Sequence, residues 1–402
     1  MLIKKILPNG LRILFEKKET DSVTILVAVH VGSNFESAPE RGISHFIEHM
    51  LFEGTTTRPT NAVIANEIES LGGDFNAYTA NERTVYYIRV PKKHFRTALN
   101  LLSDMIQNSV LDKQMLEKER AVILKEINMV IDDPRFYQWI LFHHALFEKH
   151  PAQYPIYGSV KTMKSITREM MLDFYRRWYV AGNMTVAVVG DVHEPIAAIA
   201  SLFSSMKKSS CTLQVFREPN RTKKKTVVKQ KKILNAYLVM GYKTVARMHP
   251  DSYVLDVIKS LLARGQSGTV VEEIRGKRGL AYEVGVLHDP HSDYGVFAAY
   301  LNTEKKNIPP SLRLIMQSLA SLRSVSAKEL TDAKGFLMGR HILEHEDTHS
   351  LADELCEWEL WGSAKDAHTY LAKIRKVSAS DVARVAKRYF TGNYTIARVE
   401  RK

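Results

Sequence analysis

Cysteine is nearly absent from the 402 residues, which hold only Cys211 and Cys356. Two distant thiols build no disulfide framework and are not spaced as a metal pair, so cysteine ligation is set aside and a reducing compartment fits. Long apolar runs are missing too. The longest strongly apolar stretch, Val23 to Val31, is far too short to span a bilayer and carries His30 near its end, so it reads as a buried strand. The opening residues Met1-Leu-Ile-Lys-Lys-Ile-Leu-Pro8-Asn9-Gly10 run straight into a turn, with neither a long apolar segment nor a small-residue cleavage site. The expectation is a cytoplasmic protein with no membrane partner.

Acidic residues fall short of basic ones, 44 against 57, leaving a formal charge of +13. Such an excess suits nucleic acid, anionic membrane or acidic protein surfaces. Much of it lies in Arg221-Thr-Lys-Lys-Lys225 and Lys229-Gln-Lys-Lys232, which reads as a solvated basic linker and strand edge. No aromatic residues interleave this run, so a platform for stacking single strands is excluded and nucleic acid is not expected as a partner.

What is present is a chain too long for one core, patterned as two similar halves. Two short apolar runs flank Pro8-Asn9-Gly10 as a hairpin, and the strand Val23–Val31 follows. A helix carrying the stretch 44–50 is predicted after Gly32-Ser33-Asn34, with further helices over 61–71, 93–108, 113–130, 135–150 and 167–179 and strands at 75–79, 83–90 and 182–191. The same order then returns. Phe174-Tyr-Arg-Arg-Trp-Tyr-Val-Ala-Gly-Asn-Met-Thr-Val-Ala is echoed by Val385-Ala-Lys-Arg-Tyr-Phe-Thr-Gly-Asn-Tyr-Thr-Ile-Ala. Val110-Leu-Asp-Lys-Gln-Met-Leu is echoed by Val325-Ser-Ala-Lys-Glu-Leu, and strands at 281–287 and 294–300 answer those at 74–90. The fold class is therefore α+β: two homologous domains, 1–207 and 225–402, joined by a basic linker over 208–224. Each is expected to be a mainly antiparallel sheet covered by helices on one side.

One stretch carries chemistry. In Ser44-His45-Phe-Ile-Glu48-His49-Met50, His45 and His49 stand one helical turn apart on one face, with Glu48 beside them. This H-x-x-E-H order supplies two imidazole ligands and a carboxylate suited to general-base work, and it needs a third ligand. The predicted helix from Lys113 offers two. Glu119 and Glu126 lie two turns apart on a common stripe, with Ala121-Val-Ile-Leu between them as an apolar anchor. Among other histidines, His143-His144 and the helical stripe His341, His345, His349 read as polar helix positions, and Tyr and Phe along 136–147 read as packing residues.

With these residues in place, the sequence resembles the insulinase/pitrilysin family of zinc peptidases, in its half-length form, typified by mitochondrial processing peptidase and related bacterial peptidases. The resemblance rests on His45-Phe-Ile-Glu48-His49, on Phe75-Asn76-Ala77-Tyr78-Thr79, on Glu119-Arg-Ala-Val-Ile-Leu-Lys-Glu126 and on Arg275-Gly-Lys-Arg-Gly-Leu-Ala-Tyr282. It implies His45, His49 and Glu126 as ligands of one Zn²⁺ per chain, Glu48 as the base that takes a proton from water, and Glu119 as a support behind the ligands. It further implies that Asn76 and Ala77 bind substrate by strand addition, and that Arg275 and Tyr282 hold the substrate backbone and face the developing oxyanion.

The activity implied is zinc-dependent endopeptidase action on peptides or unfolded presequence-like segments. Family members of this length pair, so the resemblance implies a homodimer or a heterodimer with a related subunit. Some such subunits are non-catalytic partners that lack H-x-x-E-H, which is the alternative reading. The second half carries no such motif: laying Glu329–Arg340 over Met115–Glu126 puts Ala333 opposite Glu119 and Arg340 opposite Glu126.

Overall fold

The Pro8-Asn9-Gly10 turn closes as its composition demands. Gly10 sits at φ +92°, and a Cβ there would lie 3.0 Å from Gly182 Cα, so only glycine suits the position. The flanking strands β1 (Leu2–Ile6) and β2 (Arg12–Lys17) pair antiparallel from Leu2↔Glu16 to Ile6↔Arg12. The computed structural model describes residues 2–209, 211, 214, 216, 218, 219 and 221–402.

With β3 (Ser22–Val29), β4 (Asp74–Thr79), β5 (Thr84–Pro91) and β6 (Met184–Gly190), these strands form a six-stranded sheet in the order β1-β2-β6-β3-β5-β4. The β2–β6 pair is parallel and every other neighbouring pair is antiparallel. The second sheet is built from β7 (Lys225–Lys231), β8 (Ala236–Thr244), β9 (Ala281–Pro290), β10 (Gly295–Thr303) and β11 (Thr395–Arg401), in the order β7-β11-β8-β10-β9. Strand for strand this repeats β2-β6-β3-β5-β4, parallel pair included. The duplicated order read in the sequence is thus a duplicated sheet topology, and among the described residues β1 is the one addition.

The cover on each sheet differs from the expectation of helices on one side. In β3, Val23, Ile25, Val27 and Val29 enter the main core. Thr24, Leu26 and Ala28, pointing the other way, are also fully buried. A strand apolar on both faces needs cover on both. The second cover is the helix Thr348–Trp361, packed on β3 and β6, with Thr24 Oγ1 hydrogen-bonded to Thr348 Oγ1 at 2.8 Å.

The reverse holds for the second sheet. There the helix Pro134–Leu146 packs on β7, β8 and β11, and its Phe142 joins Val239, Val296, Ala298 and Ala397 in one apolar cluster. Two compact units result, Met1–Asn128 with Tyr154–Gln214 and Glu344–Ala367, and Met129–Gln153 with Val215–Leu343 and His368–Lys402. The boundaries 1–207 and 225–402 follow the repeat in the sequence, whereas the compact units exchange a helical segment in each direction.

Of the linker expected over 208–224, residues 210, 212, 213, 215, 217 and 220 lie outside the described residues. Within it, Glu218 accepts the backbone N–H groups of Glu148, Lys149 and His150 at 2.9, 2.8 and 2.8 Å, tying this stretch to the second unit. The basic run beyond it forms the edge strand β7, with Lys225 and Lys229 exposed. The histidine stripe is broken, because one helix ends at Glu344 and the next begins at Thr348. His345 pairs with Glu354, and the His349 ring lies 3.9 Å from that of Tyr87. Among the described residues no helix is long and apolar enough to cross a membrane.

Candidate metal centre

The H-x-x-E-H stretch forms a helix of two turns, Ile43–Met50. Ile43, Phe46, Ile47 and Met50, spaced i, i+3, i+4, i+7, bury one face and fix its orientation. So short a helix needs help at its N-terminus, and other segments of the same chain supply it. Gly42 takes φ +93°, where a Cβ would stand 2.7 Å from the Tyr157 carbonyl oxygen. The Glu36 carboxylate accepts the N–H groups of Gly42 and Ser44 at 2.7 and 2.9 Å, taking the part of a cap. Burial pushes the Glu36 carboxyl up to about 7.

The other face of this helix presents the imidazoles. His45 Nε2 and His49 Nε2 each lie 3.7 Å from Glu126 Oε2, which arrives from the helix Lys113–Asp132. Donors about 2.0–2.1 Å from one tetrahedral ion stand about 3.4 Å apart, so this triangle needs little adjustment to close on a metal. Glu126 Oε2 is buried and has no hydrogen-bond partner, which is costly for a carboxylate unless a cation sits against it. Burial, reinforced by His49, holds His45 down at about 3, so its ring is neutral and its lone pair available. Two imidazoles and one carboxylate are the donor set of a catalytic zinc centre with room for water.

Glu119, from the same helix, turns to a different nitrogen. Its Oε2 lies 3.0 Å from His49 Nδ1, and since a carboxylate accepts, Nδ1 carries the hydrogen and Nε2 keeps its lone pair for a metal. Glu119 is buried in the stripe Leu116, Glu119, Ile123, Ile127. Glu48 stands between the histidines and strand β4, accepting a hydrogen bond from Thr79 Oγ1 at 2.6 Å. Burial raises its pKa, with the Thr79 bond pulling the other way.

Asn76 and Ala77 lie on β4, the edge strand of the first sheet. Asn76 Oδ1 accepts the N–H of Ala77 at 2.8 Å. Alternation sends Phe75 and Ala77 toward the core and brings Thr79 to Glu48. Tyr78, on the opposite face, donates to Asp353 Oδ1 at 2.5 Å, and Arg83 Nη2 bonds Asp353 and Glu357 at 3.0 and 3.2 Å. The exchanged helix therefore grips the β4–β5 hairpin.

Arg275 and Tyr282 belong to the second unit. Arg275 lies in the single wide turn Glu272–Gly276, while Tyr282, near the start of β9, is 85% exposed. Together with Asn235, Asn302 and Asn307 they line an open depression of about 400 Å³.

Within the first unit, then, His45, Glu48, His49, Glu119 and Glu126 converge, and Asn76 and Ala77 share the strand that reaches Glu48. Sequence reasoning passed over three contributors. Thr79 was within its reach, since Phe75, Ala77 and Thr79 share a strand face by simple alternation. Glu36 and Tyr157, whose ring meets that of His45 edge-on at 5.0 Å, carry no periodic signal, because both act from irregular segments, Glu36 a few residues before the helix and Tyr157 far along the chain.

Comparison with known proteins identifies the family. A family model described as Insulinase (Peptidase family M16) matches residues 12–160, and one described as Peptidase M16 inactive domain matches residues 165–337. An uncharacterised zinc protease of Rickettsia felis is 32% identical over 397 residues, covering 97% of this chain and 95% of that protein. One of Bacillus subtilis is 30% identical over 394 residues, covering 97% and 96%. Among solved structures, a protease from Helicobacter pylori matches with a TM-score of 0.94 at 22% identity, over 100% of this chain and 99% of that one. A peptidase M16 inactive domain from Pseudomonas fluorescens matches with a TM-score of 0.91 at 21% identity, over 100% and 98%.

Proposed function

Because the chain belongs to the insulinase family of peptidases, peptidase family M16, we propose that it is a zinc endopeptidase cleaving peptides or unfolded presequence-like segments. The observation that carries this reading is the buried, unpartnered Glu126 Oε2 set 3.7 Å from the Nε2 atoms of both His45 and His49, with Glu48 alongside. One zinc per chain would be held by His45, His49 and Glu126, and when bound it would supply Lewis acidity toward a peptide carbonyl and make water easier to deprotonate.

The chain's own residues do the rest. Glu48 takes a proton from the attacking water as its oxygen bonds to the carbonyl carbon, then gives that proton to the amide nitrogen as the C–N bond breaks. Glu119 keeps the His49 ring in one tautomer and orientation. The edge of β4 at Asn76 and Ala77 receives the peptide as an added strand, through backbone hydrogen bonds that tolerate varied sequence. Arg275 and Tyr282 contribute donors to the substrate backbone and its developing negative charge. A cytoplasmic homodimer, complete in itself because each chain carries both residue sets, is the assembly we assign to it.

The test is Glu48→Gln. The variant is expected to keep zinc at the wild-type ratio while cleavage of a peptide panel falls by about 10²–10⁴-fold. Undiminished turnover would rule the mechanism out, and purified wild-type protein free of zinc would favour a non-catalytic partner subunit instead.

A further inference from the structure

Thr79 is the last residue of β4 and the one side chain on that strand hydrogen-bonded to Glu48. Its hydroxyl donates to Glu48 Oε2 at 2.6 Å, which engages that oxygen. A glutamate's terminal torsion is broad and nearly two-fold, so without such a bond the carboxylate plane is poorly fixed. Threonine suits the task, because its branched Cβ restricts χ1 on a strand and aims the hydroxyl. The strand end is itself held. Tyr78, one residue earlier, bonds Asp353 at 2.5 Å, and Arg83 in the following turn bonds Asp353 and Glu357. The donor to the base therefore sits on the clamped end of an edge strand.

We propose that Thr79 is a positioning residue that fastens the Glu48 carboxylate to the end of β4, so that a peptide seated on this strand meets a base already aligned. The inference rests on the endopeptidase reading and deepens it. Thr79 touches neither a metal ligand atom nor the scissile bond; it acts through Glu48 alone. Its loss is therefore expected in turnover, not in metal binding or peptide affinity.

The experiment uses the full-length, zinc-loaded chain and a fluorogenic peptide, comparing wild type with Thr79→Val, Thr79→Ala and Thr79→Ser. Valine keeps the shape without the donor, alanine removes any risk of overpacking, and serine restores the hydroxyl. Val and Ala are expected to lower kcat by about 10–100-fold with KM changed by less than about twofold, and Ser to recover most of the loss. Zinc content and affinity, measured by chelator competition, are expected to match wild type in all three.

A kcat within about twofold of wild type for both Val and Ala overturns the proposal. So does a loss that serine shares, a rise in KM at constant kcat, or a fall in zinc affinity. If wild type cleaves, Glu48→Gln does not, and Thr79→Val and Thr79→Ala cleave normally, only the role of Thr79 falls. A zinc-loaded wild type that cleaves nothing overturns the endopeptidase reading and this inference together.

Discussion

The helix Lys113–Asp132 in the first half and the helix Ala327–Glu344 in the second follow equivalent strands of the two sheets, yet they are employed differently. The first buries Leu116, Glu119, Ile123 and Ile127 and sends two carboxylates to the histidines. The second buries Ala333 alone, where Ser260 Oγ donates to the Ala333 carbonyl oxygen at 2.8 Å. At the two deciding positions the first helix has Glu119 and Glu126, and the second has Ala333 and Arg340. A fold can thus be duplicated while a metal centre is not, since a backbone needs only patterning whereas a cation needs oxygens and nitrogens at set distances.

The most severe way to break the contrast is to write the second helix into the first. Glu126→Arg places a guanidinium where a carboxylate faces two imidazoles. Zinc content of the purified variant is expected to fall to the detection limit, and peptide cleavage by at least about 10³-fold, since the ligand and the charge that favours a cation go together. Metal analysis and a peptide assay on the same preparation decide it.

Glu119→Ala copies the other substitution. His49 keeps Nε2 but loses the acceptor on Nδ1 that fixes its tautomer, so zinc affinity is expected to drop by about 10–100-fold with the site retained. Chelator competition reads the difference, and a variant binding as tightly as wild type would show that Glu119 does not support the ligand.

The smallest effect concerns how the two halves start the helix after the equivalent strands β3 and β8. In the second unit the His249 side chain caps the helix from Pro250, accepting the N–H of Asp251 at 3.0 Å. In the first the cap is Glu36, a buried carboxyl raised from 4.5 to about 7. The folded protein therefore holds this proton more tightly than the unfolded chain. The associated stability is full below pH 4.5 and is lost as pH rises through 7. Glu36→Gln cannot ionise but offers one acceptor oxygen where the carboxyl offers two, so its melting temperature is expected to lie below wild type near pH 4.5 and the gap to narrow as pH rises toward 8. Parallel melts across that range test the sign, and a gap that stays constant or widens with pH would contradict it.

Much of this molecule is legible in its residue order. The hairpin at Pro8-Asn9-Gly10, the strands at 74–79 and 84–91 and the long helix from Lys113 all come from local composition and spacing, because turn chemistry and periodicity act over a few residues. Other features were not legible. The histidine stripe 341–349 reads as one helix, but Asp347 accepts the Ser350 N–H and starts a new one at Thr348. The second cover on β3 was visible only as an unexplained excess of apolar residues, since nothing in Val23–Val31 says which distant segment buries its far face.

The sequence by itself determined the two sheet-forming halves, the pairing of His45 with His49 on one helical face, and the presence of two carboxylates on another helix. Which nitrogen each carboxylate meets was decided only by tertiary structure. Glu119 and Glu126, two turns apart, are equivalent by periodicity. Packing of the helix brings one to His49 Nδ1 and the other to both Nε2 atoms. The same holds for Thr79 on Glu48 and for the helix exchanged between the units. Hydrogen bonds and burial join atoms by distance in space, and separation along the chain carries no record of it.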